Sequence, residues 1–73
     1  MITATQIKVL AKKAIADRSR LLFCIKGCTK NFQLTCSDLQ NAVFTDQAIE
    51  WDDGILDIFS VVGVWVAPYN TWN

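Results

Sequence analysis

Apolar residues near the start of the chain recur on a helical period. Ile7, Leu10, Ala11, Ala14 and Ile15 fall at i, i+3, i+4, i+7 and i+8, a single stripe, while Lys8, Lys12 and Lys13 lie off it. Ahead of the stripe, Thr3 and Gln6 have the spacing of a capping box, and Ile2 and Ile7 occupy the positions of a hydrophobic staple. The pattern predicts a helix from Ala4 to about Asp17.

After this helix the period changes. Arg20 to Ile25 is a short apolar run whose length favours a strand buried on both faces. The polar stretch from Lys26 to Asn31, with one glycine, suits a hairpin connection. Asn31 to Cys36 then alternates, with Phe32, Leu34 and Cys36 on one face and Gln33 and Thr35 on the other, as in a half-buried strand. Ser37 and Gln40 repeat the capping-box spacing, and Leu39, Ala42 and Val43 supply an apolar side. A short helix from Asp38 to about Phe44 is expected.

In the last third, Ala48 to Trp51 reads as a strand and Asp52-Asp53-Gly54 as a turn. Ile55 to Phe59 fits the return strand of a hairpin, although Ile55, Ile58, Phe59 and Val62 also fit helical spacing. The strand is preferred because Ile, Phe and Val dominate. Val61 to Ala67 is a further strand, with Gly63 marking a bulge and Pro68 ending it. Trp65, in a valine-rich strand, is expected in the core. The fold class is therefore α+β: an N-terminal amphipathic helix on a mostly antiparallel sheet of four to five strands, with a second short helix near the middle. Residues 1–73 form one compact domain on this reading.

Composition strengthens the picture of a dense small core, with 52% hydrophobic and 19% charged residues. Three cysteines are an odd number and follow no apolar signal segment, so Cys24, Cys28 and Cys36 are expected as reduced thiols of a cytoplasmic protein. Cys24 and Cys36 suit small core positions. The apolar run Ile58 to Val66 is too short to span a bilayer, which takes about 20 residues, so no membrane association is expected.

Charge divides the chain in two. Residues 1–36 hold seven basic groups and one acidic group, Asp17, whereas residues 37–73 hold six acidic groups and no basic one. The basic set is Lys8, Lys12, Lys13, Arg18, Arg20, Lys26 and Lys30, a candidate footprint for nucleic acid. Zero net charge and the absence of a recognised nucleic-acid motif weigh against that use, and lysines on a solvated helix face are the commoner case. Asp46, Glu50, Asp52, Asp53 and Asp57 flank the predicted turn but lack the regular ligand spacing of a calcium loop. Together with Trp51, Tyr69 and Trp72, the residues Asp46, Glu50, Asp52 and Asp53 make a candidate acidic and aromatic partner surface, since Trp and Tyr are enriched at interfaces.

Catalytic chemistry is thinly represented. Histidine is absent, which removes the commonest general base and zinc ligand. The cysteine spacing does not supply a four-ligand zinc site, and the three glycines are too far apart for a phosphate loop. Cys28, between Lys26 and Lys30, reads as an incidental loop thiol before a reactive one. No catalytic residue, metal or cofactor is expected. The chain is expected to be a small non-enzymatic protein-interaction module, binding through the acidic and aromatic surface or an exposed sheet edge. Phage and prophage accessory proteins and inhibitors of host defence are often of this type. A nucleic-acid-binding module is the alternative, and a homodimer pairing opposite charges is compatible with both.

Overall fold

A computed structural model describes residues 2–69. The first helix, α1 (Ala4–Ala16), starts at the predicted capping box. The Gln6 amide donates to Thr3 Oγ1 at 3.2 Å, and the Thr3 amide donates to Gln6 Oε1 at 2.9 Å. Both bonds satisfy N–H groups that the first helical turn leaves without partners. Ile7, Ala11 and Ala14 are the residues it buries.

The helix ends without a glycine. The Arg18 amide donates to Ile15 O at 3.2 Å and the Ser19 amide to Ala14 O at 2.7 Å. This is the Schellman arrangement, in which the residue after the C-cap adopts a left-handed conformation. Arg18 occupies that position with φ 53°.

Six strands follow: β1 (Arg20–Ile25), β2 (Phe32–Leu34), β3 (Val43–Phe44), β4 (Ala48–Trp51), β5 (Gly54–Asp57) and β6 (Val61–Ala67). They divide into two antiparallel three-stranded sheets, ordered β2-β1-β6 and β3-β4-β5. The fold is the expected α+β class, with α1 packed on β1 and β6. A 3-10 turn at Ile58–Ser60 carries the chain from the second sheet back to the first. Asp57 caps it, its Oδ1 accepting from the Phe59 amide at 3.0 Å. Both readings of this region therefore describe part of it, a strand to Asp57 and a helical turn after it.

In the first sheet, cross-strand partners define the faces. Leu21 pairs with Leu34 and Val66, and Phe23 with Phe32 and Val64, all turned toward α1. Leu22 pairs with Gln33 and Trp65 on the opposite face. Trp65 is thus 40% exposed and is not a core residue. A period of two assigns alternate faces but does not say which of them a helix will cover.

The pairing of β6 with β1 shifts between Cys24–Gly63 and Ile25–Val61, leaving Val62 as the extra residue of a bulge beside the predicted glycine. The connection from β1 to β2 begins with a turn closed by the Cys28 amide on Ile25 O at 3.0 Å. Gly27 takes φ 82° in it, a conformation glycine adopts without steric cost.

The second helix, α2 (Cys36–Asn41), begins two residues before the predicted start. Its capping box is Thr35 with Asp38, not Ser37 with Gln40. Cys36 is consequently the first helical residue instead of the last of a strand, and the helix stops before Val43 and Phe44, which pair with β4. One hydrophobic cluster joins α1, α2 and both sheets, with Ile7, Leu21, Phe23, Leu34, Leu39 and Ile49 fully or almost fully buried. Phe32 links the sheets, its ring centroid 6.2 Å from Phe23 and 5.5 Å from Trp51.

Candidate functional site

The acidic and aromatic residues are spread over the second sheet and its turns. Asp46 precedes β4, and Asp52 and Asp53 follow it, so roughly 13 Å of extended strand separates them. Trp51 pairs with Gly54 across the two-residue turn, and its ring passes 3.5 Å from where a Gly54 Cβ would stand. Neither Asp52 nor Asp53 has positive φ, so the turn differs from the mirror-image type that an Asp-Gly pair favours.

Strand pleating puts Glu50 and Trp51 on opposite faces. Glu50 lies in an exposed row with Val43 and Ile55, whereas Trp51 is half-buried against Phe32. Tyr69 docks on its own domain. Its hydroxyl accepts from the Cys36 amide at 2.9 Å, and the Arg20 guanidinium lies over its ring at 6.0 Å from the centroid. Trp72 lies outside the described residues.

The basic residues also separate. Lys8, Lys12 and Lys13 are exposed on α1, and Lys8 and Lys12 border a groove with Phe44. Lys26 and Lys30 are exposed in the connection from β1 to β2, and Arg18 stands at the end of α1. Arg20 is only 5% exposed, and its Nη1 donates to Gln33 Oε1 at 2.8 Å. Its guanidinium is engaged by Gln33 and Tyr69. Among the described residues no ion pair ties a lysine to a carboxylate.

Cys28 is exposed, while Cys24 and Cys36 are half-buried rather than fully in the core. Among the described residues no group of three or more Cys, Asp or Glu side chains is placed to hold a metal ion. No described helix is long and apolar enough to cross a membrane.

The most continuous feature is one the charge pattern did not reveal. β6 is the last strand of its sheet, and no described strand pairs with its other edge. Two shallow grooves run along it. One is lined by Ile2, Thr5, Val9, Leu10 and Val64, the other by Lys26, Phe59, Val61 and Val62, and both share Ile2 and Gln6. Val9, Phe59, Val62 and Trp65 are 61%, 69%, 56% and 40% exposed. Lys26 is the one charged residue lining either groove. The signal was available in the sequence, because no charged residue occurs from Ile58 to the end of the chain. No family model, curated protein or solved structure matches the chain.

Proposed function

We propose that this protein is a non-enzymatic protein-interaction module whose contact surface is the outer edge of β6 and the apolar grooves beside it. The carrying observation is that edge itself. Seven residues without charge end a sheet, flanked by the exposed side chains of Val9, Phe59, Val62 and Trp65. An edge strand presents a row of N–H and C=O groups that another chain can complete; β6 contains no lysine or proline, and its bulge at Val62 lies near one end. Val9 stands on the α1 side of this edge and Trp65 on the other side of the sheet, so exposed apolar side chains border it on both faces, as at interaction sites. Of the two contact surfaces expected from the sequence, the edge has better support, because Trp51 is half-buried against Phe32 and Tyr69, although 42% exposed, already engages Cys36 and Arg20. An accessory role such as inhibition of a host-defence component is consistent with such a module, acting by occupancy rather than chemistry.

The test is affinity capture from the source cell, read by mass spectrometry. It compares the native chain with Val62→Lys and with the double variant Lys8→Glu/Lys12→Glu. The bound proteins should disappear with Val62→Lys and persist with the double variant. Bound proteins that persist with Val62→Lys, or disappear only with the double variant, would refute the assignment and favour the lysine face.

A further inference from the structure

We infer that the partner of the β6 edge is a second copy of this chain, the two β6 strands pairing antiparallel about a two-fold axis near Val64. This rests on the reading of the edge as a contact surface. In an isologous interface every patch meets itself, so a charged patch repels its copy and a neutral one does not. The edge satisfies this condition. Neither β6 nor the residues of α1 and its lead-in beside it, Ile2, Thr5, Gln6 and Val9, carry charge. Lys26, the one charged residue lining either groove, lies at the Val61–Val62 end, away from the axis, and Lys8, Lys12 and Lys13 lie outside both grooves.

The strand is also self-complementary in shape. Val64 is the middle residue of Val61–Ala67. With Val64 on the axis, Gly63 stands opposite Trp65 of the second copy, and Val62 opposite Val66. A tryptophan facing a glycine across antiparallel strands is a pairing this molecule already makes. Trp51 pairs with Gly54 in the β4–β5 hairpin and lays its ring over the space a side chain would fill. At Gly63 the nearest atoms to a hypothetical Cβ are Cys24 Cβ at 3.6 Å and Cζ3 of the same chain's Trp65 at 3.9 Å, so Trp65 already borders the space above this glycine within its own strand. The bulge at Val62 falls opposite Val66 of the second copy, leaving Gly63 to Trp65 of each strand in regular register for pairing. The result is a six-stranded sheet ordered β2-β1-β6-β6-β1-β2. The two α1 helices are carried on one face, with Val9 of each near the axis.

Sedimentation equilibrium over a hundred-fold concentration range tests this. The native chain should approach twice its 8.2 kDa mass. Val62→Lys should weaken association at least tenfold with an unchanged circular dichroism spectrum, because it places a charge against Val66 of the second copy. Val64→Cys supplies an independent readout. Residues facing each other across antiparallel strands have Cα atoms about 4.5–5.5 Å apart, within disulfide range. Mild oxidation should therefore link the variant into covalent dimers, while the native chain with its exposed Cys28 should not form them. A monomer at every concentration overturns the inference. So does a dimer that tolerates Val62→Lys and fails to cross-link through Val64→Cys. A monomer whose captured proteins still disappear with Val62→Lys overturns the self-pairing and leaves the contact-surface assignment standing.

Discussion

Arg18 gives a quantitative test of the backbone account. Its φ of 53° places an L-residue where Cβ approaches the following carbonyl, at a cost of about 1–2 kcal/mol. Glycine removes that cost but loses more conformational freedom on folding, roughly 0.5–1 kcal/mol. The Arg18 side chain is exposed and makes no hydrogen bond or ion pair among the described residues, so little is lost with it. Arg18→Gly should thus stabilise the domain by about 0.5–1 kcal/mol. For a domain of this size that corresponds to a rise in Tm of roughly 2–8 °C. Thermal unfolding by circular dichroism reads the shift, and urea unfolding should show a higher midpoint at constant m. Arg18→Ala is the control, since alanine meets the same steric cost, and its Tm should stay close to native. The reasoning is refuted if Arg18→Gly leaves Tm unchanged or lowers it. It is equally refuted if alanine gives the same gain, which would trace the effect to the lost charge.

Three further outcomes follow from the fold. Thr3→Ala removes one half of the α1 capping box and should cost about 1 kcal/mol in urea unfolding. Phe23→Ala empties a fully buried site that contacts Phe32, and a loss of about 3–5 kcal/mol should leave little folded protein in circular dichroism. The lysine face of α1 is read here as solvated. Retardation of DNA and RNA should therefore be absent even at low salt, where phosphate contacts are strongest. A salt-sensitive shift abolished by Lys8→Glu/Lys12→Glu would count against that reading.

Legibility in the sequence depended on how many independent signals coincided. The first helix carried a period, a capping box and a staple, and its start is where they place it. At the second helix the Ser37–Gln40 spacing pointed to the wrong capping frame. Thr35 with Asp38 prevails, and it orients Leu39 into the core while leaving Ser37 and Gln40 exposed. Val43 and Phe44 had apolar character suited to either element, and pairing with Glu50 and Ile49 settles them as strand. Arg18 gave no warning, because the left-handed residue after a helix is usually glycine.

The site was harder to read for a related reason. Charge is visible residue by residue, so Asp46, Asp52 and Asp53 stood out, although β4 keeps them at opposite ends. Burial depends on partners distant in sequence. Arg20 is enclosed by Gln33 and Tyr69, and Trp65 is exposed because Val64 and Val66 take the helix-facing positions. Which strand ends a sheet is a property of topology, and no local pattern names it. The uncharged run after Asp57 was the legible part of the edge.

Amide hydrogen exchange along Val61–Ala67, measured at concentrations spanning the monomer and the dimer, tests the role of this edge most directly. Amides of β6 that point away from β1 have no described strand to bond in the monomer and should exchange quickly when dilute. Their protection should rise with concentration, while amides of β3 to β5 stay unchanged. Exchange in β6 that is the same at every concentration, with protection appearing elsewhere as the chain associates, would contradict the account.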